Sequence, residues 1–223
     1  MKIKGAIFDM DGTLIDSLTF WEQYWKKLGR EYLNEEELIP DPALDCEVRT
    51  LTFRAAQLRI KEFYGLSVSD EELAAFSEKG VISFYEHEVA VKDGAFAFLE
   101  HLKNRGIKRC IASATEKPVI LHALSHLGLD KYFDTVLSCA DIGKSKDHPD
   151  IYLLAKDALG EKESELCVFE DSFVAIETAK KAGFLTVGIF DEHNFNQERL
   201  AASSDIYLAK GRSMAELIEQ IDR

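Results

Sequence analysis

Four groups of residues with chemical potential stand directly after short apolar runs in this chain. The first is Phe8-Asp9-Met10-Asp11-Gly12-Thr13-Leu14, which sets two carboxylates at i and i+2 behind the run at residues 5–8. In a continuing strand the two would share one face, and a turn permitted by Gly12 aims both into one crevice beyond the strand's carboxyl end. One can then attack phosphorus, while the other protonates the leaving oxygen and later deprotonates water. An isolated D-x-D also fits an Asx-turn that only closes a strand. The second group is Cys110-Ile111-Ala112-Ser113-Ala114-Thr115, where hydroxyls and backbone N–H groups are available to a phosphoryl oxygen. Its plain alternative is a helix N-cap, a role that Thr115 before Glu116-Lys117-Pro118 fits. The third is Lys146 in Gly143-Lys144-Ser145-Lys146-Asp147-His148-Pro149-Asp150, a cation for a phosphoryl group or an aspartate nucleophile, or else a solvated loop lysine. The fourth is Glu170-Asp171-Ser172 after the apolar run at 166–169. Burying two adjacent acids is costly unless a cation or donors meet them, and a hard divalent metal, Mg2+, is the economical explanation.

These groups need elements that bring them together. From about residue 94 onward, β-rich apolar runs alternate with amphipathic stretches, the pattern of a parallel sheet built by βαβ crossovers. The expected strands are 5–8, 107–112, 135–138, 166–169, 185–190 and 205–208. Gly106, Gly128, Gly160 and Gly183 follow the intervening helical stretches, where C-terminal caps belong. Residues 17–90 contain no strand candidate. There Leu18, Trp21, Trp25, Leu28 and Tyr32 form one helical stripe, and Leu73, Phe76, Gly80 and Phe84 another. Pro40 and Pro42 are expected to break the first run, and Lys92-Asp93-Gly94 to lead back into the sheet. The expected fold class is α/β, a doubly wound, Rossmann-like parallel-sheet core of residues 1–16 and 91–223 with an all-helical cap inserted at 17–90. All four chemical groups then fall at carboxyl ends of parallel strands.

That conjunction resembles the haloacid dehalogenase-like (HAD) superfamily, specifically its phosphatases and β-phosphoglucomutase-like phosphomutases with a small helical cap. Asp9 to Ser17 looks like the first motif, Ala112 to Thr115 the second, Lys146 with Pro149-Asp150-Ile151-Tyr152 the third, and Val168 to Ser172 the fourth. The resemblance covers essentially the whole chain and implies two-step phosphoryl transfer. Asp9 would be the nucleophile and form an aspartyl-phosphate, and Asp11 would serve as general acid and then general base. Ser113, the Ala114 N–H and Lys146 would bind the phosphoryl group. The Asp9 carboxylate, the Asp11 carbonyl and Asp171 would hold magnesium, with Glu170 in or beside its shell. Dehalogenases lack the second aspartate because a halide leaves without a proton, so Asp11 speaks for phosphate chemistry. In the phosphomutase branch a histidine at the cap entry, twelve residues after the nucleophile, takes part in proton transfer; this chain has Trp21 there. A phosphatase is therefore expected, with a β-phosphoglucomutase-like mutase or a non-catalytic phospho-ligand sensor as alternatives. In the cap, Phe20, Trp21, Arg49 and Arg54 are candidates for substrate contact, against simple cap packing and surface arginines.

Composition bounds the partners. The 223 residues carry 27 Lys and Arg against 40 Asp and Glu, a net charge of −13 that disfavours nucleic acid and anionic membranes. No stretch approaches the roughly 18 consecutive apolar residues of a membrane span. Cys46, Cys110, Cys139 and Cys167 form no C-x-x-C pair and read as reduced core or near-core thiols of a cytoplasmic protein. A monomer acting on a small phosphate ester, without nucleic acid or membrane, is the expectation. His122 and His126 lie one helical turn apart without a third ligand and are read as solvent-facing, and His148 as a loop residue.

Overall fold

The computed structural model describes residues 3–49 and 51–221. The chain runs β1 (Gly5–Phe8), α1 (Phe20–Leu28), α2 (Pro42–Val48), α3 (Phe53–Tyr64), α4 (Asp70–His87), α5 (Ala95–Asn104), β2 (Lys108–Ser113), α6 (Lys117–His126) and β3 (Thr135–Ser138). It continues through α7 (Cys139–Ile142), α8 (Asp150–Leu159), β4 (Leu166–Glu170), α9 (Phe173–Lys181), β5 (Leu185–Ile189), α10 (Gln197–Ser203), β6 (Ile206–Leu208) and α11 (Leu217–Ile221). All strand pairs are parallel, in the order β3-β2-β1-β4-β5-β6. The order reverses at β1, with β2 on one side and β4 on the other, and such a reversal opens a crevice at the carboxyl ends. Register places Phe8 beside both Ile111 and Phe169, so Asp9 emerges next to Glu170.

The sheet is buried on both faces, which explains why its strands read as continuous apolar runs. On one face Phe8 and Phe169 pack with Phe98, Leu99 and Leu102 of α5, Ile120 and Ala123 of α6, and Leu217 of α11. On the other, Ile7 and Val168 pack with Tyr152 and Ala155 of α8 and Ala175 and Ala179 of α9. Phe8 stacks on Phe169 at a centroid distance of 4.4 Å, and Phe98 stands edge-on to both. This aromatic layer lies directly beneath the ends of β1 and β4.

Helices α1 to α4 surround an apolar cluster of their own, including Tyr24, Trp25, Leu28, Leu44, Val48, Ile60 and Leu73. The end of the first helical run differs from the expectation. A π-helical turn at Gly29–Leu33 follows α1, and Asn34 closes it at φ 56°, ahead of both prolines. Pro42 instead opens α2, whose N-cap Asp41 accepts from the N–H groups of Ala43 (2.9 Å) and Leu44 (3.1 Å). A proline fits there because the first turn of a helix has no intrahelical use for its N–H.

The two segments joining α1–α4 to the sheet run side by side. Asp16 N–H donates to the Ala90 carbonyl, and Lys92 N–H to that of Leu14, both at 2.9 Å. The Lys92 ammonium then pairs with Asp191 (2.8 Å) and Asp16 (3.1 Å) and donates to the Phe190 carbonyl (3.2 Å). Among strand ends, β2 extends to Ser113 and β4 to Glu170, one residue past expectation, because the ladder continues through Ser113–Ser138 and Glu170–Gly188. At the other edge Asp205 lies before β6, its carboxylate accepting from the Thr186 N–H and hydroxyl, both at 2.9 Å.

The aromatic layer carries a measurable share of stability. Phe8→Ala should lower unfolding free energy by about 3–5 kcal/mol, measured by chemical denaturation; a loss below about 1 kcal/mol would mean the ring is not a core anchor.

Candidate active site

After Phe8 the chain turns so that the Gly12 N–H donates to the Ile15 carbonyl and the Leu14 N–H to that of Met10, both at 2.9 Å. Gly12 sits at φ +78°, and a Cβ there would collide with the Asp171 carboxylate. Only glycine therefore lets the turn close over the end of β4. Asp9, Glu170 and Asp171 are all buried, and each offers a carboxylate oxygen within 4.8 Å of the others. Lys146 reaches in from the loop before α8, donating to Asp9 Oδ1 and, at 2.7 Å, to Glu170 Oε2. Asp171 is met by Asn194 Nδ2 at 2.6 Å and by the Thr13 hydroxyl at 3.3 Å.

Electrostatics follow from this crowding. Burial pushes Asp9 up to about 7; Lys146 opposes the shift, while the charges of Asp171 and Asp11 add to it. Burial likewise raises Glu170 to about 7 against the pull of Lys146. It raises Asp171 as well, with Glu170 and Asp191 adding repulsion. Burial works to depress Lys146, but Asp9 and Glu170 outweigh it and hold the ammonium charged. Three buried acids around a single lysine leave negative charge uncompensated. An all-oxygen donor set with that deficit fits a hard divalent cation.

The Asp11 carboxylate has different company. Oδ1 accepts from the hydroxyls of Ser17 and Tyr85, each at 2.7 Å, and Oδ2 from that of Thr115 at 2.9 Å. Ser113 is buried at the end of β2, and its Oγ accepts from the Thr115 N–H at 3.1 Å. Thr115 is thus no cap of α6; Glu116 occupies that place without a side-chain hydrogen bond.

A cavity of about 590 Å³ opens over these groups. Asp9, Asp11, Ser113, Ala114, Lys146, Glu170 and Asp171 line its sheet side, and Phe20, Trp21, Arg49 and Arg54 its helical side. Every candidate nominated from sequence therefore borders one space. The Arg49 guanidinium is engaged with Asp45 (3.1 Å) and the His193 carbonyl (3.4 Å), and Arg54 donates to the Asp70 carbonyl at 2.9 Å. Gln57, also lining the cavity, has a buried side-chain oxygen without a hydrogen-bond partner.

Sequence reasoning gave no role to Ser17, which closes the first motif, and passed over Tyr85, Asn194 and Gln57. Asn194 follows β5 at a carboxyl end, the same placement that marked the other groups, so a signal existed; Tyr85 had none. His122 contacts Glu86 of α4 at 3.0 Å, a bridge between the helical segment and α6 rather than a purely solvent-facing position. His148 is exposed in its loop. Cys110, Cys139 and Cys167 are buried thiols and Cys46 an exposed one. No helix among the described residues is long and apolar enough to cross a membrane.

Residues 3–183 match the family haloacid dehalogenase-like hydrolase. The chain belongs to that family. It is 27% identical to a phosphorylated carbohydrates phosphatase of Thermotoga maritima over 98% of this chain and 100% of that one. It is 30% identical to the validoxylamine A 7'-phosphate phosphatase of Streptomyces hygroscopicus subsp. limoneus, over 86% of this chain and 87% of the relative. The fold also matches the crystal structure of CbbY from Rhodobacter sphaeroides in complex with phosphate, with a TM-score of 0.81 and 22% identity over 99% and 100% of the two chains.

The raised carboxyl pKa values predict how a metal should act. Folding raises these acids, so the folded state holds more protons than the unfolded one, and metal-free stability falls as pH rises from the ordinary carboxyl range through about 7. A cation competes with those protons. Magnesium should therefore raise the melting temperature more at about pH 8 than at about pH 5, followed by thermal denaturation; equal shifts at both would contradict binding at these acids.

Proposed function

We propose that this chain is a magnesium-dependent phosphatase that hydrolyses a small phosphorylated metabolite, a sugar phosphate or a phosphoglycolate-like acid, through a phosphoryl group carried on Asp9. The observation that carries the reading is the buried cluster of Asp9, Lys146, Glu170 and Asp171 facing a cavity roofed by the helical segment. The substrate class draws support from relatives named for phosphorylated carbohydrates.

On this reading an Asp9 oxygen attacks phosphorus as the ester oxygen departs, taking its proton from Asp11. Asp11, now ionised, removes a proton from water, which attacks the Asp9 phosphate and returns free phosphate and the original carboxylate. Lys146, Ser113 and the Ala114 N–H hold the phosphoryl oxygens. The Asp9 and Asp171 carboxylates and the Asp11 carbonyl would hold magnesium, with Glu170 in or beside the shell. Bound there, the ion neutralises charge developing on the phosphoryl oxygens. Residues 17–90 act as a cap over the core of 1–16 and 91–223, excluding bulk water during the first transfer. We place the enzyme in the cytoplasm as a monomer.

Water rather than a bound sugar phosphate is the acceptor on this reading, because the position twelve residues after Asp9 carries no histidine. Trp21 is there, packed among Phe20, Tyr24, Trp25 and Phe53. Its indole N–H is a donor only and cannot relay a proton.

A magnesium-supplemented screen of phosphorylated metabolites should find turnover, and Asp9→Asn should remove it by about 10³-fold or more. The variant should stay folded, since it relieves repulsion among buried acids. Full activity in Asp9→Asn would refute the nucleophile; isomer appearing before free phosphate would replace the phosphatase by a mutase; binding without turnover of any ester would leave a sensor.

A further inference from the structure

Asp11 is held by hydroxyls that arrive from three separate parts of the chain: Ser17 from the segment leaving the sheet, Tyr85 from the last turn of α4, and Thr115 from the loop after β2. Tyr85 differs from the other two in how it is anchored. The residue is 5% exposed and, with Val81 and Phe84, belongs to the apolar cluster that contains Phe8, Phe98 and Phe169. The ring is fixed by packing, and its hydroxyl is the polar tip that reaches the cavity. Burial and the neighbouring Asp11 charge raise the phenol well above its usual pKa, so it remains a donor.

We infer that Tyr85 is a positioning residue for acid–base chemistry: its hydroxyl fixes the orientation of Asp11, so that proton delivery to the leaving oxygen depends on a side chain of the helical segment. The inference rests on the reading of Asp11 as the acid and base. A carboxylate on a turn can rotate about two side-chain bonds, and a donor at one oxygen alone leaves the other free to swing. Here Oδ1 is occupied by both Ser17 and Tyr85. Oδ2 has Thr115 alone and keeps capacity for one further partner. The proton in transit is therefore carried on Oδ2, and the paired donors on Oδ1 hold that oxygen toward the cavity that Asp11, Tyr85 and Thr115 line together.

A tyrosine that only filled the core would affect every substrate alike. Two esters separate the roles. An alkyl phosphate such as glycerol phosphate has a strongly basic leaving oxygen that must be protonated as it departs, whereas 4-nitrophenyl phosphate releases a stable phenolate and needs no acid. The specificity constant kcat/KM reports the first transfer, to Asp9, for both. In Tyr85→Phe, which keeps the ring volume, kcat/KM should fall about 10-fold or more for the alkyl ester and stay within about twofold for the aryl ester. Placed in an Asp11→Asn background, Tyr85→Phe should cause no further loss with the alkyl ester. Thermal melts of all three variants identify folded protein, and Thr115→Val, which removes the Oδ2 donor, provides a second variant expected to show the same selectivity. Equal losses on both esters in folded variants, no loss on either, or an undiminished loss in the Asp11→Asn background would overturn the role of Tyr85. Wild-type turnover is a separate measurement: its absence with both esters would refute the phosphatase reading rather than this one.

Discussion

Three carboxylates buried around one ammonium are the constraint on which the rest of this structure depends. Each acid alone would resist burial, and Lys146 meets only Asp9 and Glu170, leaving Asp171 to Asn194 and Thr13. Such a cluster persists only if the scaffold prevents its members from moving apart. Parallel pairing of β1 with β4 provides that: the Asp9 N–H donates to the Phe169 carbonyl at 3.0 Å, so the two strand ends stay in register as the acids leave the sheet. The stacked rings of Phe8 and Phe169 fill the space below. Apolar packing thus offsets an electrostatic cost a few ångströms away, and a divalent cation held by the acids would remove much of that cost.

The helical segment adds a roof to the cavity above these acids. Its connections are braced where they leave the core, by two backbone hydrogen bonds and by Lys92 between Asp16 and Asp191. Burial would lower Lys92, yet Asp191 and Asp16 hold it above its usual value, so the brace is charged at neutral pH. The helical end of the molecule reaches the acids through Tyr85 and Ser17. On the proposed reading, the nucleophile is built entirely from the sheet, whereas the acid–base partner is shared between sheet and cap.

Most of the sheet side of the site is legible in the sequence because parallel strands are short apolar runs and their carboxyl ends carry the motifs. Ser113, Lys146, Glu170 and Asp171 could each be placed by counting from a strand end. The same rule applied to β5 would have reached Asn194. Tyr85 follows Phe84 in a helix whose stripe explains Phe84 but gives no reason to single out its neighbour; only the packing of α4 against the core brings that hydroxyl to Asp11. The end of the first helical run was misplaced for a related reason. Proline is a strong local breaker, but Gly29 and Asn34, with a π-helical turn between them, end the run earlier, and such a turn leaves no clear trace in hydrophobic spacing.

The acidic composition and an anionic substrate are compatible because they concern different distances. At a net charge of −13 the surface repels long polyanions, whose affinity would come from many exposed cations. On the proposed reading a single phosphoryl group instead meets Lys146, backbone N–H groups and a metal inside a cavity where screening by salt is weak. Specificity is then divided between the two sides of that cavity. On the proposed reading the sheet side would recognise any phosphate monoester and discrimination would fall to the roof, where Arg49 is already committed to Asp45 and His193. On that reading the remaining donors of Arg54, which lines the roof, are polar groups placed to read a leaving group.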